Sequence, residues 1–307
     1  MNSSKHSTEP SHSAANPSSA SDGDYTPADG PATSANSSAT SGSGLQIQRV
    51  EIDKPPLRLR LYAVWYRHVR VYARNIISNG LPPFLEPLVF LVGIGMGLGA
   101  YLTQMEGVPF LEYLATGLLM TTAMFTSAFE CSFGTFIRLE YEKAYDGMLA
   151  APITVWDLLV GEILWAGTKG FFFTLAVLMV IYGFGILPIG LSLVTPFIGF
   201  FTGAMFAALS LLVTSFVKNI NHFNFYFSGF ISPMFFFAGV VFPVTNLPNI
   251  VRPISEALPL THAVRLTRAF SFPGEVPFLW ADVIYIILFT LLIGILGVRR
   301  LKRRLID

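Results

Sequence analysis

Three ionisable side chains stand where an apolar chain should carry none. Glu130, Glu162 and Lys169 fall inside long hydrophobic stretches, and a mid-membrane Asp or Lys costs about 2.5–3.5 kcal/mol on insertion scales. Groups carrying that cost face a cavity or pair with one another. Glu162 and Lys169 are seven residues apart, hence on one helix face. Counted at about 1.5 Å per residue from the ends of their stretches, Glu130 lies roughly 10 Å deep and Lys169 roughly 16 Å. A snorkelling lysine spans that difference. Two chemistries follow: a structural ion pair between adjacent helices, or a part in substrate passage, gating or proton transfer.

The remaining candidates are sparse. The sequence contains no G-x-x-x-x-G-K-[ST] phosphate loop, no HExxH and no G-x-S-x-G nucleophile elbow. Cys131 is the only cysteine, which excludes an intramolecular disulfide and a Cys-based zinc site. His222 and His262 stand alone in the sequence and read as structural or interfacial. The expectation is a chain that is not itself an enzyme, with no catalytic residue, bound cofactor or metal of its own. Gly95-Met96-Gly97-Leu98-Gly99-Ala100 fits the dinucleotide-binding expression, but it sits inside a hydrophobic stretch rather than between a strand and a helix. Its useful content is helix packing: Gly93 with Gly97, and Gly95 with Gly99, lie one turn apart and permit close contact. The neighbour is another helix of this chain or, as preferred here, of a second copy.

Positioning these groups requires membrane-crossing elements. Of 307 residues 52% are hydrophobic and 13% charged, against roughly 25% charged in soluble domains. The net charge of +1 gives no case for nucleic acid. Six stretches are each about long enough for a ~30 Å hydrocarbon core: Phe84–Leu102, Leu111–Phe136, Leu158–Ile186, Leu193–Val217, Phe223–Phe242 and Leu279–Val298. Lys and Arg gather before the first, after the second and fourth, and at the end of the chain, while the connections around Glu106 and Pro188 carry none. The positive-inside rule then places both termini in the cytoplasm, with an even number of spans.

Residues 1–44 form a Ser/Thr/Ala-rich tract too poor in apolar side chains to offset the entropy of ordering, and a disordered tail is expected. Within residues 45–80, Leu57, Leu61, Val64, Trp65, His68 and Tyr72 recur at helical spacing among Arg58, Arg60, Arg67, Arg70 and Arg74. That is the pattern of an amphipathic helix lying in the membrane interface. Residues 81–307 hold the spans. The fifth is dense in aromatics from Phe223 to Phe237 around Pro233; such faces pack helices, meet lipid or stack on sugar rings. Between the fifth and sixth, prolines cut residues 243–277 into pieces too short to cross. Two short helices dipping into the outer leaflet, near Leu247–Leu258 and Leu260–Phe270, are expected. The fold class is therefore all-α integral membrane: six transmembrane helices, an N-terminal interfacial helix, and short re-entrant helices before the last span.

This order of parts resembles the ABC-2 type transporter permeases, and within them the nodulation-J branch that exports lipo-oligosaccharides. Carrying the resemblance are Leu85-Glu86-Pro87-Leu88 with Gly93–Gly99, Asp157-Leu158-Leu159-Val160-Gly161-Glu162, Trp165-Ala166-Gly167-Thr168-Lys169, Phe242-Pro243-Val244 and Leu258-Pro259-Leu260-Thr261-His262. The family's acidic-Gly-Thr run is replaced here by Glu142-Lys143-Ala144. The resemblance implies a permease of an ABC exporter in a bacterial inner membrane. Two copies would form the path for an amphiphilic or oligosaccharide substrate, and two copies of a separate ATPase subunit would bind the ATP. It also implies an ATPase-coupling segment at Glu140–Pro152. Glu140, Tyr141, Glu142, Tyr145, Asp146, Met148, Leu149 and Pro152 are the residues expected to dock a soluble partner. A drug-efflux permease of the same fold, and a proton-coupled carrier or intramembrane enzyme using Glu130, Glu162 and Lys169, remain as alternatives.

Overall fold

The computed structural model describes residues 54–272 and 279–306. The tail expected at residues 1–44 lies outside them. The first helix, α1 (Leu57–Arg74), follows Pro55-Pro56 and buries Val64 and His68. It stops at Asn75, whose φ of −129° and ψ of 43° leave the helical region, and α2 (Ile76–Phe90) begins directly. Of the stretch expected as an interfacial helix, residues 45–53 lie outside the described residues and Leu57–Arg74 is helical; the first apolar helix starts before Phe84. Pro82, Pro83 and Pro87 lie inside α2, where each removes a backbone donor. Its continuation widens into π turns over Leu91–Met96 before one last α turn, Gly97–Gly99. A short ribbon follows, β1 (Gln104–Met105) antiparallel to β2 (Val108–Pro109). Glu106 and Gly107 turn it with φ of 50° and 83°.

The helix α3 (Phe110–Phe129) runs on through π turns Glu130–Gly134 and Ile137–Tyr141. Next come α4 (Ala144–Leu149) and α5 (Val155–Gly183), the latter started by a capping box in which Thr154 and Asp157 satisfy each other's backbone N–H. A 3-10 turn, Leu191–Val194, leads into α6 (Thr195–Thr214). The helix α7 joins Phe223–Tyr226, π turns Phe227–Ile231 and Ser232–Phe237. Then follow α8 (Arg252–Glu256), α9 (Pro259–Ser271) and α10 (Leu279–Ile306). A helix thus forms nearly where the second short piece was expected, as α9, and a shorter one, α8, falls within the first.

Among the described residues, four helices are long and apolar enough to cross a membrane: Ile76–Gly99, Val155–Gly183, Leu191–Thr214 and Leu279–Leu305. The stretches expected at Leu111–Phe136 and Phe223–Phe242 fall short for different reasons. The helix α3 is wrapped by α2, α5, α6 and α9 and is buried almost throughout. It therefore meets neighbouring helices more than lipid and tolerates Glu112 and many hydroxyls. Thr116, Thr121, Thr122 and Ser132 return theirs to carbonyls three or four residues back. The helix α7 is simply short. From Phe223 to Phe237 it rises about 22 Å, and Gly239, at φ 82°, turns the chain away.

Glycine decides the tightest crossing, but not at the pairs singled out above. A Cβ on Gly170 of α5 would lie 2.5 Å from the Gly199 carbonyl of α6, and one on Gly203 would meet Ser127 Oγ at 2.7 Å. The two backbones touch there, as small-xxx-small packing requires. In the continuation of α2 only the Gly95 and Gly99 face meets this chain, at Leu111 and Phe110, while a Cβ on Gly93 or Gly97 would meet nothing.

Candidate functional site

Three adjoining cavities run along one side of α3. The first, about 350 Å³, lies between α2, α3 and α7 and is walled by Phe90, Leu118, Phe125, Phe129, Phe227, Phe235 and Phe236, with Glu86 and three threonines. Its aromatic wall is built by contact between rings: Phe129 stacks on Phe227 at 4.2 Å, and Phe90 meets Phe235 edge-on at 5.5 Å. The second, about 450 Å³, shares Pro83, Glu86, Phe125, Thr126 and Phe129 with the first and reaches Ser78, Asn79, Glu130 and Lys169. The third, about 230 Å³, shares Asn79, Glu130 and Lys169 and adds His68, Tyr72, Arg138 and Trp165. The walls change in sequence from aromatic to charged. Together they form a groove with an apolar end and a polar end.

The polar end is an ion network. Lys169 Nζ donates to Glu130 Oε2 at 2.8 Å, one of the two carboxylates that the sequence left open to it. Glu162, on the same helix face as Lys169, holds a different cation: Arg138 Nη2 reaches its Oε2 at 2.5 Å, and Arg138 Nη1 reaches Glu130 Oε1 at 2.8 Å. Arg138 therefore bridges both carboxylates. Thr135 and Tyr145 hydroxyls also donate to Glu162, at 3.2 and 2.8 Å. His68 Nε2 lies 3.2 Å from Glu162 Oε1 and is buried without a hydrogen-bond partner. Over the network sits Tyr72, with Lys169 Nζ 4.7 Å from its ring centroid, a cation–π contact. Buried charges persist when paired and hydrogen-bonded, and each carboxylate here is both.

Sequence reasoning missed Arg138, His68 and Glu86 as members of this site, and gave Tyr145 a different role. Arg138 reads as a charge beyond the end of a span, yet the π turns keep it on the face of α3 that looks at α5. His68 and Tyr72 belong to the amphipathic stripe of α1, and their spacing carried the signal. Glu86 lies in the apolar helix starting at Ile76 and lines the groove.

The segment Glu140–Pro152 divides into two faces. Tyr145 is fully buried, and Met148 and Leu149 pack beside Val155 and Leu158. Tyr145 and Leu149 were expected as anchors for a partner; Tyr145 instead anchors α4 to Glu162. Burial, then the Glu162 charge, push its phenol well above the usual range, so it stays a donor. Tyr141, Glu142, Asp146 and Pro152 remain exposed, and Tyr141 shows 65% of its surface. Glu140 pairs with Arg304 of α10 at 2.7 Å, so this segment and the basic end of α10 share one end of the bundle. Lys143, where the resembled family carries glycine, adopts a left-handed φ of 50°, a conformation glycine enters at no cost.

At the opposite end, His262 is isolated in sequence but not in space. Its Nδ1 lies 2.6 Å from Asp282 Oδ1, its Nε2 2.9 Å from the Glu256 carbonyl, and its ring stacks on Tyr285 at 3.8 Å. His222 ends a 3-10 turn, Ile220–His222, and is exposed. Among the described residues, no group of three or more His, Cys, Asp or Glu side chains could hold a metal.

The family model described as ABC-2 type transporter matches residues 60–272. Nodulation protein J of Sinorhizobium fredii is 32% identical over 247 residues, which cover 80% of this chain and 94% of that protein. The nodulation protein J of Rhizobium leguminosarum bv. trifolii is 30% identical, covering 81% of this chain and 95% of that protein. An inner membrane transport permease of Escherichia coli, YadH, is 19% identical, covering 70% of this chain and 83% of its own.

Proposed function

Because the chain belongs to the ABC-2 type transporter family, we propose that it is the permease of an exporter that moves a lipo-oligosaccharide or similar amphiphile out of a bacterial inner membrane. The supporting observation is the groove beside α3. One end offers aromatic side chains to an acyl chain, and the other offers paired charges and ring faces to a polar head. Six crossings with both termini inside, a second copy completing the path, and two copies of an ABC ATPase belong to the same reading. The exposed face of Glu140–Pro152 is the surface we assign to that ATPase, since the sequence holds no phosphate loop of its own. The apolar end alone would also suit a hydrophobic drug, the runner-up. A proton-coupled carrier is disfavoured, because Glu130 and Glu162 are each bound by cations rather than left free to exchange protons.

Vesicles holding the chain with its ATPase test this reading. ATP should drive a fluorescent glycolipid across the bilayer, and Thr122→Trp, which fills the apolar end, should cut that flux at least tenfold while the complex stays assembled. Equal flux of wild type and Thr122→Trp would remove the groove from the path. Transport that needs a proton gradient and no ATP would overturn the exporter reading.

A further inference from the structure

We infer that the polar end of the groove is a saccharide subsite, which takes one neutral sugar ring of the amphiphile while the aromatic end takes its chain. This rests on the groove being the transport path. The pocket, about 230 Å³, is lined by Tyr72, Asn79, Glu130, Arg138, Trp165 and Lys169, with His68 and Val71 beside them. It is smaller than the usual site for a drug-sized ligand, of about 300–1,000 Å³, and suits a single ring.

Charge balance selects a neutral head. Lys169 is held by Glu130, and Arg138 by Glu130 and Glu162. An anionic head could bind Lys169 only by taking it from Glu130, which weakens a buried pair. A cationic head would have to draw Glu130 away from two donors. A polyol displaces nothing and adds hydrogen bonds to side chains already fixed in place.

Two further observations point to an occupant. Tyr72 Oη and Arg138 Nε are buried without a hydrogen-bond partner, whereas buried polar groups are ordinarily paired. Asn79 at the rim supplies a donor and an acceptor together, the pattern a ring hydroxyl uses. The Tyr72 and Trp165 rings meet at 5.5 Å and 64°. They make an aromatic corner against which the C–H face of a pyranose can lie.

The test uses the chain in lipid nanodiscs and three probes of equal chain length: dodecyl glucoside, dodecyl sulfate and dodecanol. Binding is read at fixed lipid content from Trp165 fluorescence, isolated as the difference from Trp165→Phe. Dodecyl glucoside should half-saturate at a concentration about tenfold below dodecanol, the worth of one well-made buried hydrogen bond. Tyr72→Phe keeps the ring and removes only its oxygen. That change and Asn79→Leu should each erase most of the advantage while leaving dodecanol unaffected. Sulfate binding tighter than glucoside, and lost in Lys169→Met, would overturn the neutral subsite in favour of an anionic one. Glucoside and dodecanol binding equally, both blocked by Thr122→Trp, would remove the subsite and leave the groove standing. If none of the three binds, the groove reading falls and the subsite with it.

Discussion

Two arginines, one at each end of the bundle, are held in opposite ways. Arg138 lies between the side chains of Glu130 and Glu162. Arg268, in α9, has no carboxylate partner among the described residues. Its Nη2 donates to the Gly239, Tyr113 and Val240 carbonyls at 2.8, 3.3 and 3.4 Å, and its guanidinium lies 3.5 Å over the Tyr113 ring. Carbonyls of a fixed backbone cannot rotate away, so Arg268 braces the chain reversal after α7 against the start of α3. The carboxylates around Arg138 instead carry charge of their own, so losing the arginine leaves them unbalanced. The same residue type is thus held by neutral backbone at one end and by opposite charge at the other.

That difference sets an order of mutational cost. Arg138→Met leaves two buried carboxylates facing each other and should destabilise by about 3–5 kcal/mol, the range for breaking a buried pair. A sharply lowered unfolding temperature in detergent would register it. Adding Glu162→Gln should recover part of the loss. Arg268→Met removes hydrogen bonds from neutral carbonyls and should cost about 1–3 kcal/mol. If Arg268→Met proves the costlier change, the contrast between brace and site is wrong.

Within the site, Lys169→Met should be milder than Glu130→Ala. The first removes a buried cation and leaves Glu130 with Arg138, whereas the second strands Lys169 in the groove wall. A double-mutant cycle on unfolding free energy should give a coupling of about 0.5–3 kcal/mol. A coupling of zero would dissolve the pair.

How much of this the sequence discloses follows from what each signal can carry. Hydropathy finds the apolar helices, because a run of such residues needs no partner to be recognised. It cannot separate α3 from its neighbours, since a helix wrapped by protein and one facing lipid are both apolar; only the hydroxyl content of α3 hints at its place. The pairing of Lys169 is legible because an unpaired charge at that depth is costly. The role of Arg138 is not, since a charge at the end of an apolar run satisfies the positive-inside rule whether it leaves the helix or turns back. Gly199 and Gly203 have the same spacing as Gly93 and Gly97, yet only the former pair meets a glycine-bearing helix of this chain. Spacing names a face and leaves its neighbour open.

The smallest effect on stability belongs to Tyr141, and it tests the functional use of the site most directly. The segment Glu140–Pro152 has an inner face, where Tyr145 holds Glu162, and an outer face carrying Tyr141, Glu142 and Asp146. A change on the outer face should touch partner binding alone, and one on the inner face should touch the ion network. Tyr141→Ala should therefore shift unfolding by no more than about 0.5 kcal/mol, yet reduce co-purification with the ATPase about tenfold, as removal of an exposed aromatic anchor does. Tyr145→Phe keeps the buried ring and removes only the hydrogen bond to Glu162. On the proposed assignment of this segment to an ATPase, it should leave the ATPase bound while lowering ATP-driven transport, because α4 then moves without pulling on the carboxylate that fixes Arg138. If Tyr145→Phe transports at the wild-type rate, coupling does not pass through Glu162. If Tyr141→Ala retains the ATPase in full, the partner docks elsewhere on the basic end.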